Sequence, residues 1–203
     1  MKKTILKIEA SIIVAVLIIN IFSIAGFSKQ CSEIRNKVLR MHVIANSDED
    51  FDQELKLKVR DAVLNEGKEL FDGSLTASDA EKKIVPNIDR LKSVALKIIQ
   101  DEGYDYNVEI YVVKEYFKTR VYENSVTLPA GEYTAVKVVI GEGKGKNWWC
   151  VMFPPMCLPA AKGNTKINDV LNSDEINIVN NGKKYSIKFK FVEFCEDLYE
   201  KIK

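Results

Sequence analysis

The run from Leu128 to Cys157 constrains the fold more than any other part of this chain. It opens on a turn signal, Pro129-Ala130-Gly131, and then alternates. Tyr133, Ala135, Lys137 and Val139 fall on one face of an extended segment, and Thr134, Val136, Val138 and Ile140 on the other, which is the period of a strand. Three glycines follow in Gly141-Glu142-Gly143-Lys144-Gly145-Lys146, then the dense string Trp148-Trp149-Cys150-Val151-Met152-Phe153-Pro154-Pro155-Met156-Cys157. A second strand across the glycine turn, from Asn147 to Phe153, closed by a Pro-Pro loop, is the expected arrangement. Consecutive strand residues face opposite sides, so one of Trp148 and Trp149 points to the core and the other is exposed or lies under the 158–173 loop.

The rest of the chain divides by period. Val38 to Asn46 reads as a strand, and Asn46-Ser47-Asp48 as a turn and helix start. Phe51, Leu55, Val59, Ala62 and Val63 recur at helical spacing to about Leu70. Ser78-Asp79-Ala80-Glu81 reads as a capping box for a second amphipathic helix to about Glu102, kinked or split at Pro86. From Tyr104 the period becomes two, giving strands at 106–112, 117–122 and 133–140. Ile176–Val179 and Lys184–Phe191 flank Asn180-Asn181-Gly182, a strong hairpin signal, and Glu193 to Lys203 reads as a terminal helix. Helices and strands are segregated along the chain. The fold class is therefore α+β, a mainly antiparallel sheet with two or three helices packed on one face.

Residues 1–27 are of another kind. Lys2, Lys3 and Lys7 precede an apolar run from Ala10 to Phe27, the design of an export signal or membrane anchor. Ser23-Ile24-Ala25 offers small residues for cleavage after Ala25; uncleaved, residues 10–27 contact membrane. Residues 28–37 read as a short polar linker and 38–203 as one globular domain. Lys+Arg number 30 against Asp+Glu 29, which gives no reason to expect nucleic acid. Four cysteines in an exported chain permit disulfides, of which Cys150–Cys157 is the most local; buried free thiols serve equally.

Three constellations could carry chemistry. Cys150 with His42, the single histidine, would make a thiol hydrolase acting on cell-wall peptide. Cys150 has apolar neighbours, however, and no helix N-terminus or basic flank to lower its pKa. Gly141-x-Gly143-x-Gly145-Lys146 lacks both the dinucleotide and the P-loop spacing. Asp48, Glu49, Asp50 and Asp52 do not follow the calcium-loop pattern and suit a solvated helix start. No cofactor, metal or catalytic residue is assigned. The remaining possibility is recognition, since Trp148, Trp149, Phe153, Pro154 and Pro155 are apolar and aromatic anchor types.

Arg40-Met41-His42-Val43-Ile44-Ala45-Asn46-Ser47-Asp48, with Asp52-Gln53, Lys56-Leu57 and Val59-Arg60-Asp61, resembles the opening signature of the stage II sporulation protein R family. Thr119-Arg120-x-Tyr122, Leu128-Pro129-Ala130-Gly131-x-Tyr133 and the string from Gly141 through Asn147-Trp148-Trp149-Cys150 to Pro154-Pro155-x-Cys157 resemble it too; Lys118 stands where a family proline is expected. The resemblance runs from about 38 to 157 and implies an intercellular signal of endospore formation. Such a protein is made in the forespore and exported into the intermembrane space. There it activates a membrane-embedded aspartic-type protease of the mother cell, which removes the pro-sequence of sigma factor E. Partner-binding residues expected on this reading are Arg40, His42, Asn46 and Asp48 at the strand-to-helix corner, Trp148, Trp149, Pro154 and Pro155, and more weakly Arg120 and Tyr122.

Overall fold

The computed structural model describes residues 2–71, 74, 76–122, 126–156 and 166–202. The element order is α1 (Lys2–Asn36), β1 (Leu39–Ile44), α2 (Asp50–Phe71), α3 (Ala77–Ile84), a 3-10 turn (Val85–Asn87), α4 (Ile88–Asp101), β2 (Val108–Phe117), β3 (Arg120–Val121), β4 (Thr127–Leu128), β5 (Gly131–Ile140), β6 (Asn147–Phe153), α5 (Ile167–Val170), α6 (Ser173–Asn180) and α7 (Ser186–Ile202). The α+β class expected from sequence is the one found. Pro86 splits the second amphipathic segment into α3 and α4. Its start is set by Thr76, whose Oγ1 accepts from the Asp79 amide at 3.1 Å, two residues ahead of the expected cap.

The main sheet has the order β2-β5-β1-β6. β5 pairs antiparallel with β2 and β6 antiparallel with β1, but β1 and β5 run parallel, so the sheet is mixed. The glycine run is therefore no hairpin turn. It carries the chain from β5 over the end of β1 to the far side. Gly145 N donates to Ala45 O at 2.9 Å and Lys144 N to Asn46 O at 3.0 Å. A Cβ on Gly145 would overlap the Ser47 carbonyl, which is why a glycine stands there.

Alternation along the strands builds two cores. Met41, Val43, Val136, Val138, Ile110, Cys150 and Met152 face α2, α3 and α4, where Leu55, Val59, Ile84, Leu91 and Ile99 complete the layer. Phe117, Tyr133, Ala135 and Val151 face the other way, onto Phe27, Cys31 and Ile34 of α1, Ile178 and Val179 of α6, and Phe189 and Val192 of α7. Helices thus cover both faces, not one. The polar look of residues 28–37 is that of a helix surface: its inward residues recur at helical spacing from Phe27, and α1 enters the core without a linker.

Two further expectations are corrected. The segment 117–122 is not a strand beside 106–112: β2 continues to Phe117, and Arg120–Val121 pairs with Thr127–Leu128 as a separate ribbon. The hairpin at Asn181-Gly182 is a turn between two helices. Asn172 and Glu175 form a reciprocal capping box that starts α6. Gly182 lies against β4, where a Cβ would overlap Thr127.

Candidate functional site

The residues expected to bind a partner are built on β1 and β6, which exchange backbone bonds with Met41 opposite Cys150 and His42 opposite Trp149. His42 and Cys150 therefore point to opposite faces of the sheet. Cys150 is fully buried and its sulfur is disulfide-bonded, so it has no thiolate to offer. Cys157 lies outside the described residues. Both nitrogens of His42 are taken: Nδ1 lies 2.9 Å from Glu115 Oε2 and Nε2 2.7 Å from Asn147 Oδ1. The Cys150–His42 pairing of the thiol-hydrolase reading is not assembled.

His42 instead belongs to a hydrogen-bonded chain across three strands. Lys137 of β5 donates to Glu115 Oε1 at 2.8 Å, and Glu115 of β2 accepts from His42 of β1. The His42 ring stacks on Trp149 of β6 with centroids 3.7 Å apart and planes 19° apart. Trp149 in turn meets Phe117 edge-to-face at 4.9 Å. Burial pushes the Glu115 carboxyl upward, but the hydrogen bonds from Lys137 and His42 outweigh it, leaving the group below its usual value of 4.5. The unfolded chain therefore takes up this proton first as pH falls. The stability gap between wild type and Glu115→Gln, measured by urea unfolding, should be constant above about pH 5.5 and close as pH drops through 4.5 and below.

Arg40, two residues before His42 on the same face, is fully buried. Its guanidinium carbon lies 4.2 Å from the Phe117 ring centroid, 4.9 Å from Tyr133 and 5.4 Å from Tyr122. Nε donates to Cys150 O at 3.2 Å and Nη2 to the Tyr122 hydroxyl, while Nη1 has no hydrogen-bond partner. Among the described residues no carboxylate pairs with it. The charge is held by aromatic faces.

The other expected residues separate into braces and surface. Asn46 is a brace: Oδ1 accepts from Glu142 N at 3.0 Å, and Nδ2 donates to the buried Asp52 at 2.8 Å. Pro154 is buried behind a cis peptide bond and Pro155 is half-buried. Asp48 and Arg120 are exposed, and Tyr122 half-buried. Trp148, 37% exposed, lies on the face opposite Trp149, with Arg60 of α2 4.5 Å from its ring centroid. Both tryptophans are therefore partly covered, one on each face. The Leu128–Gly131 segment is held by α1, since Arg35 Nη1 donates to Ala130 O at 2.8 Å and packs against Gly131, whose φ is +132°. The Tyr133 hydroxyl closes it on Pro129 O at 2.6 Å.

Glu115, Lys137, Asn147 and Phe117 were not singled out from sequence. The signal was present: Glu115 and Lys137 interrupt otherwise apolar and aromatic strand faces, and a charge inside an alternating strand needs a cross-strand partner. Beyond them, the sheet face carrying Tyr111, Val113, Val139 and Ile44 is only half covered, with Tyr111 40% exposed. Within the joined set Arg40, His42 and Phe117 are buried, and Glu115, Lys137 and Trp149 are half-buried.

A family model described as stage II sporulation protein R matches residues 35–163. A stage II sporulation protein R of Bacillus subtilis is 37% identical over 124 residues, which cover 61% of this chain and 55% of that protein. The match therefore spans a little over half the length of that relative. No solved structure matches.

Proposed function

The chain belongs to the stage II sporulation protein R family, and from that premise we propose that it is an exported signal of endospore formation that switches on a membrane-embedded aspartic-type protease. On this reading the protein is made in the forespore and crosses its membrane into the intermembrane space. It binds the mother cell's protease and leads to processing of the sigma factor E precursor. The family match over the sheet and its signature segments is the observation that carries the reading. The apolar helix α1 supports export, being long and apolar enough to be a signal peptide or an anchor. Activation requires that binding favour the protease's active state, because only differential affinity shifts such an equilibrium. The half-buried Trp149, held in place by its stack on the buried His42 ring, suits that role, since little entropy is lost on binding.

The test is co-expression of this chain with the protease and its pro-sigma substrate in a host that does not sporulate. Substrate cleavage should depend on this chain. Substrate left uncut although the chain is exported and folded would overturn the proposal.

A further inference from the structure

Where β2 ends, Tyr116, Phe117, Lys118, Arg120 and Trp149 line a cleft of about 230 Å³. Among the described residues its lining carries two cations, three aromatic rings and no carboxylate. The Tyr116 hydroxyl is already committed to Asp197 of α7. Lys118 and Arg120 are exposed, and among the described residues neither has an ion-pair partner. Phe117 also packs on the buried guanidinium of Arg40, which no carboxylate pairs among the described residues. Positive charge thus reaches the cleft from Lys118 and Arg120 on the solvent side and from Arg40 behind Phe117, while the carboxylates Asp197, Glu193 and Glu196 of α7 stand near Tyr116; a charge in a low-dielectric interior is screened less than one in water.

From this we infer that the cleft is an anchor pocket for an acidic side chain of a protein partner. The carboxylate would sit between Lys118 and Arg120, and its methylene stem on the rings of Trp149 and Phe117. Arginine suits the planar, bidentate carboxylate. The volume is below the range of ordinary small-molecule sites, so it suits one side chain of a larger partner rather than a free ligand. Aromatic residues with arginine are the composition of interface hot spots. If the proposed function holds, the partner is the protease, and the inference adds that its docking segment is acidic.

The full chain in detergent micelles, carrying Trp148→Phe so that Trp149 is the sole tryptophan emitter, is titrated with the peptide Ac-Gly-Glu-Glu-Gly-NH2 and its Gln-Gln counterpart. The Glu peptide should change Trp149 emission, and the Gln peptide should bind at least about tenfold more weakly. Lys118→Glu with Arg120→Glu should abolish the response, and Lys118→Arg with Arg120→Lys should retain it. Equal response to the two peptides, or none at millimolar Glu peptide, would overturn the inference. So would a phosphatidylglycerol micelle response that persists in the charge-reversed variant and exceeds the peptide's. In the co-expression assay the charge-reversed variant should cut processing about tenfold while being exported at the wild-type level. Full processing by that variant overturns the inference and leaves the proposed function standing, whereas an inactive wild type overturns the proposed function alone.

Discussion

A chain that begins at Val38 should show no cooperative urea transition, whereas one that begins at Gly26 should unfold cooperatively. The shorter chain loses Phe27, Cys31 and Ile34, which are 4%, 0% and 0% exposed. At about 2 kcal/mol for each buried side chain this is about 6 kcal/mol. It also loses Arg35, which bridges Ala130 O at 2.8 Å and Glu196 at 2.9 Å. Lys37 goes as well. Its ammonium lies 2.8 and 2.7 Å from the two oxygens of Glu175, a carboxylate with no exposed surface. Stripping a buried charge of its partner costs about 3 kcal/mol more. The sum rivals the whole stability of an ordinary domain, about 5–15 kcal/mol. A cooperative transition in the Val38 chain equal to that of the Gly26 chain would mean that α1 does not belong to the fold.

Arg40→Ala should destabilise the fold by about 3–5 kcal/mol, while Arg40→Met should cost less than about 1.5 kcal/mol. Alanine leaves a cavity among Phe117, Tyr133 and Tyr122 and strips Cys150 O and the Tyr122 hydroxyl of their donor. Methionine refills most of that volume. It loses the same two hydrogen bonds, but it also removes the desolvation penalty of a buried cation that no carboxylate pairs among the described residues. Urea unfolding of both variants separates the cases, with unchanged slope showing that the midpoint shifts report stability. If methionine destabilises as much as alanine, the attraction between charge and rings is the main stabilising contribution at this site.

The central strands were legible because they obey a period of two with few interruptions. β5 alternates from Tyr133 to Ile140, and the structure sends Val136, Val138 and Ile140 to one core and Tyr133 and Ala135 to the other. Strand neighbours were not legible. Nothing in Gly141–Lys146 distinguishes a turn that returns beside β5 from one that crosses β1, since glycines serve both. The C-terminal region differs from its expected hairpin for a related reason. Ile176–Val179 is a short apolar run, which does not separate strand from helix, and Lys184–Phe191 alternates Tyr185, Ile187, Phe189 and Phe191 with polar residues, a strand period that the helix α7 overrides. The Asn172-x-x-Glu175 cap and the helical spacing of Phe189 and Val192 were the better guides. Of the candidate site, Arg40, His42 and Trp149 were found as residue types, though Arg40 and His42 are buried. Their partners Glu115, Lys137 and Phe117 come from strands far along the chain and meet them only through the sheet register.

Because α1 runs unbroken from its apolar stretch to Asn36, the two parts share one helical phase. Each residue added to a helix rotates the chain beyond it by about 100° and advances it by about 1.5 Å. In a chain that keeps its apolar stretch in a membrane, the direction of the Trp149 face relative to any one side of that stretch is set by the count of residues between that side and Phe27. A single residue gained or lost there would swing that face by more than a quarter turn while every contact within the domain stayed the same.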